Sequence, residues 1–170
     1  MKTNFTIRQA QQSDAVELKE LFQNTVLVIN RRDYSQAEVE DWASCGNNLS
    51  NIKERIETHY FIVAVNQQSQ IVGFSSITPQ GYLHSMFVHK DFQGEGIATM
   101  LLEEIERYAI TAGITRITSE VSLTARPFFE KKGYAVEKEQ KRKANQLSLT
   151  NFLMAKEVAF LEYYNKKVTD

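Results

Sequence analysis

One cysteine, two prolines and a formal net charge of −1 are the scarcities of this 170-residue chain, and each closes off a class of protein. With Cys45 alone there is no internal disulfide framework, and so little cysteine fits a reducing compartment. Its neighbours Ala43, Ser44 and Gly46 supply no base or cation to lower the thiol pKa, so Cys45 reads as a passenger rather than a nucleophile. Charge near zero gives no reason to expect nucleic acid or an anionic membrane as partner. No apolar run approaches the ~20 residues that a bilayer span needs. The start, Met1-Lys2-Thr3-Asn4-Phe5, lacks the apolar core of a signal peptide, so the cytoplasm is the expected location. No metal-ligand cluster is visible, and no metal is expected. Only Pro79 and Pro127 punctuate the chain, and there is no repeat or linker. The length suits one domain with a sizeable core.

What is present is a regular succession of elements. Phe5-Thr6-Ile7-Arg8 alternates as a strand. Ser13 or Asp14 then caps a helix, along which Ala15, Leu18, Leu21, Phe22, Val26 and Ile29 recur at helical spacing. Ser35-Gln36-Ala37-Glu38 is a capping-box signature that opens a second helix through Trp42, and Ile52 to Ile56 suggests a short third one. Tyr60 to Val65 is apolar throughout, as a strand covered on both faces would be. With Ile71 to Ile77 and Tyr82 to Val88, separated by polar turns, it predicts an antiparallel meander. A helix beginning near Gly94 carries Ile97, Leu101, Ile105 and Tyr108 on one stripe and ends at Gly113. Ile114 to Val121 is a strand, and Thr124 caps a short helix through Lys132. Tyr134-Ala135-Val136 and Leu147 to Met154 are closing strands. The class is α/β (α+β), built on one central mixed sheet with helices on its faces. The last segment, 158–170, forms a tail that the apolar Val158 to Tyr164 could make helical.

The chemistry concentrates where a strand hands over to a helix, at Val88-His89-Lys90-Asp91-Phe92-Gln93-Gly94-Glu95-Gly96-Ile97-Ala98-Thr99. The first turn of a helix has unpartnered N–H groups and partial positive charge, and glycines there let a phosphate approach closely. The string is no P-loop, which needs Gly-x4-Gly-Lys-Ser/Thr, and no dinucleotide fingerprint, whose third glycine is replaced by Thr99.

Gln93-Gly94-Glu95-Gly96-Ile97-Ala98 resembles the Gln/Arg-x-x-Gly-x-Gly/Ala signature of the GCN5-related N-acetyltransferases (GNAT family). The segment Ser122 to Tyr134, with Ala-Arg-Pro-Phe-Phe-Glu-Lys-Lys-Gly at its centre, is similar to that family's Asn-x-x-Ala-x-x-Phe-Tyr-Glu-Lys-x-Gly-Phe, especially in its bacterial branch. The resemblance runs from Phe5 to about Glu157 and implies a single GNAT domain, residues 1–157, with about seven strands. It implies acetyl-coenzyme A (acetyl-CoA) as co-substrate and acetyl transfer to an amine. In the implied site the diphosphate sits on the amides of Gln93, Gly94, Glu95, Gly96, Ile97, Ala98 and Thr99. Met86 and Val88 offer backbone groups to the pantetheine arm, with Phe87 between them at the core or rim.

Two departures stand out. Ser122 replaces the family's Asn, and Phe129 replaces the Tyr credited with protonating the departing thiolate. A non-catalytic acyl-CoA binding module is therefore the alternative. For the general base, His84 leads because of its ordinary pKa near neutrality. Tyr82 lies two residues before it on the same strand face, and Glu120 is the next candidate. Tyr34, Asp41 and Trp42 are candidates for lining the acceptor site. The acceptor is expected to be a small-molecule or peptide amine, and the protein a monomer or homodimer.

Overall fold

The computed structural model describes residues 4–159 and 168. The expected tail helix lies outside these, apart from Val158 and Ala159, which are not helical, and Val168. Val158 is buried, with its N–H on the Thr115 carbonyl. Among the described residues no helix is long and apolar enough to cross a membrane.

Strands β1 (Thr6–Gln9), β2 (Tyr60–Val65), β3 (Ile71–Ile77) and β4 (Leu83–Val88) form an antiparallel sheet in that order. Strands β5 (Arg116–Ser122), β7 (Ser148–Glu157) and β6 (Ala135–Lys143) form a second, with β7 in the middle. The seven strands thus follow the expected succession, but they divide into two hydrogen-bonded sheets rather than one continuous one. A parallel bridge between Tyr82 and Thr118 joins them. The Thr118 N–H donates to the Gly81 carbonyl, and Ser119 Oγ donates to the Leu83 carbonyl at 2.8 Å. Past Leu83 the strands β4 and β5 no longer pair, and a cleft opens between them.

Helices cover both faces of the first sheet. Helix α4 (Ile97–Thr111) buries Ile97, Leu101, Ile105 and Ala109 against Ile62, Ala64 and Val72. Gly73 permits this approach, since a Cβ there would meet Ile97 Cγ2 at 2.8 Å and the Phe87 carbonyl at 3.2 Å. Helix α1 (Ala15–Val28) packs Leu18 and Leu21 with Phe61, Val63, Ile71 and Phe74 on the other face, beside Ile52 of α3 (Leu49–Thr58). The alternation of β2 between these clusters explains why its sequence is apolar throughout. Helix α2 (Gln36–Ser44) has the expected capping box: Ser35 Oγ accepts the Glu38 N–H, and Glu38 accepts the Ser35 N–H.

Helix α3 is longer than the apolar Ile52–Ile56 pair suggested. Strand β6 also extends seven residues beyond Val136. Its exposed run Glu137 to Lys143 has no apolar alternation, and it is a strand because β7 supplies its hydrogen bonds.

Candidate functional site

The cleft measures about 730 Å³ and is lined from both sheets, from α1 to α3, and from the loop before α4. Helix α4 begins at Ile97 rather than near Gly94, because Gly94 (φ +76°) and Gly96 (φ +83°) adopt left-handed backbone that a right-handed helix cannot contain. A Cβ added at either glycine would meet nothing within 4 Å. The glycines are thus not needed to make room for protein, and the space above them belongs to the cleft. The N–H groups of Gly96, Ile97, Ala98 and Thr99 donate to no carbonyl among the described residues. They point from the positive end of a 15-residue helix. Glu95 is exposed and does not line the cleft, so its charge does not oppose an anion there. The Ile97 side chain is core, leaving its amide for the site.

The Gln93 side chain has a structural task. Its Nε2 donates to the Val88 carbonyl at 2.8 Å, and Thr25 Oγ1 donates to the same carbonyl at 3.0 Å. The Val88 carbonyl is therefore occupied, and of the backbone groups expected at Val88 only the N–H is left for a ligand. The His89 N–H donates to Val72 on β3, so strand alternation turns the Val88 N–H and both backbone groups of Met86 to the open edge of β4. Phe87 packs with Phe22, Phe74 and Trp42.

At the other end of β4 a bulge changes the side-chain parity. Ser76 pairs with Ser85 and Ile77 with Leu83, leaving His84 as the extra residue. Leu83 therefore joins Met86 and Val88 in the α4-side core. His84 does not share their face, as simple alternation would require, and turns toward His59 (5.5 Å between rings). Its ring still meets that of Tyr82 edge-on at 6.0 Å, and both line the cleft. Burial, helped by the charge of Arg55 and by His59, pushes the His84 pKa from 6.5 down to about 4. The imidazole is neutral at neutral pH, and His84 lacks the near-neutral pKa expected of it from the sequence. Burial and the charge of Glu120 push the Tyr82 hydroxyl up to about 12, so it stays protonated. Glu120 is held by Arg142 Nε at 2.9 Å.

Ser122 Oγ accepts the Ala125 N–H and so organises the turn into α5 (Arg126–Lys131). Phe129 is 3% exposed, edge-on to Phe128 and Tyr134. Tyr34 bridges the sheet end, accepting the Leu123 N–H and donating to the Thr150 carbonyl. Trp42 packs on Phe22, Tyr34 and Phe87 at the cleft wall. Asp41 instead faces away from the cleft, where its carboxylate accepts the N–H groups of Asn145, Gln146 and Leu147. Cys45 does reach the cleft wall, but partial desolvation and the Asp41 charge raise its pKa and keep the thiol protonated.

Buried side-chain atoms without hydrogen-bond partners concentrate on residues of the cleft wall. Among the described residues these are His84 Nδ1, Thr124 Oγ1, Asn151 Oδ1 and Gln140 Nε2, and the first three belong to cleft-lining residues. Asn151 stands directly across from Ser122 in the β5–β7 register. Sequence reading did not assign Asn151, Thr25 or Arg55 to the cleft, and it made Thr124 the cap of α5, whose N-cap is Ala125 while Thr124 Oγ1 has no partner.

The helix start with open glycines and the unpaired strand edge of a split sheet face one cleft. The family model described as an acetyltransferase (GNAT) domain matches residues 30–157, and the chain belongs to that family. It is 28% identical over 152 residues to the protein of Escherichia coli (strain K12) named Uncharacterized N-acetyltransferase YafP, covering 89% of this chain and 95% of that one. The crystal structure of a GCN5-related N-acetyltransferase from Rhodopseudomonas palustris superposes with a TM-score of 0.86 at 26% identity, over 90% of this chain and 95% of that one. The PaiA N-acetyltransferase of Thermoplasma acidophilum, solved with coenzyme A, has a TM-score of 0.74 at 19% identity over 90% and 98% of the two chains, which shows the shared fold.

Proposed function

We propose that the protein transfers an acetyl group from acetyl-CoA directly to the amine of a small-molecule or peptide acceptor. One observation carries the reading: the open left-handed glycines Gly94 and Gly96 lie in the same cleft as the unpaired edge of β4. The residues fit the group in charge and shape, since the free amides suit a diphosphate and the strand edge suits an amide-bearing arm. The PaiA relative's bound coenzyme A agrees with this choice.

When bound, acetyl-CoA supplies an acetyl group already activated as a thioester. The amides from Gln93 to Thr99 hold the diphosphate. Met86 and the Val88 N–H pair with the pantetheine arm, and Asn151 and Thr124 offer polar contacts where Ser122 is committed to its turn. Neutral His84 accepts a hydrogen bond through Nδ1 from the acceptor amine and directs the nitrogen lone pair. Phe129 has no proton to give, and the protonated Tyr82 hydroxyl takes the donor role in this reading. The proton that the amine nitrogen gives up on acylation passes to Glu120, which Arg142 holds, directly or through water.

A thermal-shift panel with acetyl-CoA, coenzyme A, NAD and ATP tests the cofactor class, and release of free thiol with pooled amines tests catalysis. Stabilisation by NAD or ATP in preference to acetyl-CoA overturns the reading. Stabilisation by acetyl-CoA without amine-dependent thiol release favours the second reading, a non-catalytic acyl-CoA binding module. The buried, hydroxyl-free Phe129 is the observation on its side.

A further inference from the structure

The ionised side chains of the cleft wall are unbalanced. Arg32, Arg55, Arg142 and Lys143 line it, against one carboxylate, Glu120, which Arg142 already holds. Arg55, in the last turn of α3, is the half-buried member of this group. Its side chain makes no hydrogen bond or ion pair among the described residues, whereas Arg8, Arg116, Arg126 and Arg142 each hold a carboxylate. Tyr82, Cys45 and His84 around it line the cleft and none is an anion at neutral pH; the one carboxylate that acts on it, Glu54, is exposed and outside the cleft lining. A half-buried guanidinium that no carboxylate engages directly is costly unless a ligand supplies that partner, and its planar fork matches a carboxylate.

The coenzyme's diphosphate is not that ligand. Arg55 belongs to the His84 end of β4, while the glycine cradle follows Val88. Four residues of strand alone separate these ends by ~13 Å.

We propose that Arg55 binds a carboxylate on the acceptor, which makes the preferred substrate a small amine that itself carries a carboxylate, such as a free amino acid. This rests on the acetyltransferase reading above. The guanidinium fixes the carboxylate, and the amine of the same molecule is then presented to His84 Nδ1, the unpartnered atom of the neighbouring ring. Acceptors without the anion lose this anchor.

The test compares L-amino acids with their C-terminal amides, by calorimetry on the coenzyme A-loaded protein and by thiol release with acetyl-CoA. It uses the full-length wild type, Arg55→Gln and Arg55→Lys. The wild type should favour at least one acid over its amide by about 10–100-fold in affinity and in kcat/KM, the scale of a charge-assisted pair. Arg55→Gln should abolish that ratio, Arg55→Lys should restore part of it, and acetyl-CoA affinity should be the same in all three. The difference in amine basicity between acid and amide is common to all three proteins and cancels in the comparison. A wild type that binds acetyl-CoA but does not discriminate overturns this inference alone, as does a ratio that survives Arg55→Gln. Acetylation confined to lysines of folded proteins overturns it too. Failure to bind acetyl-CoA overturns the parent reading, and this one with it.

Discussion

Replacing Gly96 and Gly113 in turn by alanine separates what a glycine does for the backbone from what it does for the ligand. Both have left-handed backbone, φ +83° and +78°, and a Cβ at either would enter open space. They flank the same helix, Gly96 before its first turn and Gly113 after its last. Each substitution therefore carries the same cost, about 1–2 kcal/mol for an L-residue in this region, with no clash to add. For a chain of this size that lowers Tm by roughly 2–8 °C in both variants. The binding consequences differ. At Gly96 the new methyl occupies the space over the free amides of α4. Loss of one charge-assisted contact there, about 1.5–3 kcal/mol, weakens acetyl-CoA by about 10–150-fold. At Gly113 the affinity should not change. Calorimetry gives the two affinities directly. Scanning fluorimetry checks them independently, since saturating ligand at about 100 times Kd adds about 2.7 kcal/mol to the stability of any variant that still binds. Unchanged affinity in Gly96→Ala, or an equal loss in Gly113→Ala, refutes the placement of the diphosphate.

His84→Ala should lower kcat by about 10²-fold with acetyl-CoA affinity intact, and the wild-type rate should show no His84 limb near pH 6.5, because burial holds its pKa near 4. The same depression means that the unfolded chain takes up a proton before the native one does. The stability contribution is present above pH 6.5 and lost as pH falls toward 4. It amounts to about 2–3 kcal/mol, which urea titrations of wild type and His84→Gln across that window would reveal as a difference in slope. Asp14 shows a related sign at lower pH: the bidentate Arg8 pair (2.8 and 3.0 Å), then the Gln11 N–H, hold its carboxyl below the ordinary range against the opposing effect of burial. Its contribution, about 1 kcal/mol once solvent screening is allowed for, should be full above pH 4 and fade below it. Asp14→Asn should remove that acid sensitivity in denaturant melts. Phe129→Tyr should keep the fold and raise turnover if thiolate protonation limits the rate. A folded variant with unchanged kcat would show that it does not, and a Tm loss of more than a few degrees would show the new hydroxyl to be buried without a partner.

Much of the frame was legible because its causes are local. The capping box from Ser35 to Glu38 is four residues long, the stripe of α4 repeats within each turn, and the meander is written in short apolar runs between polar turns. The glycine loop was legible for the same reason, since backbone freedom is a property of the residue itself. The rest depended on partners far along the chain. Strand β6 is a mostly exposed, charge-rich run whose strand character comes from β7. One extra residue in β4 moved His84 off the face that alternation assigned it, and the bulge exists only in the register with β3. Thr25 closed the Val88 carbonyl from 63 positions away, and Asp41 was drawn off the cleft by amides more than 100 positions on. Arg55, on an amphipathic helix rich in polar residues, had no local signature at all. The sequence by itself determined which segments could be strand or helix and where a phosphate could rest, because those follow from propensity and spacing within a few residues. Only the tertiary structure decided which side chains face the cleft, their protonation and which charges lack a partner, because burial and pairing are set by long-range packing.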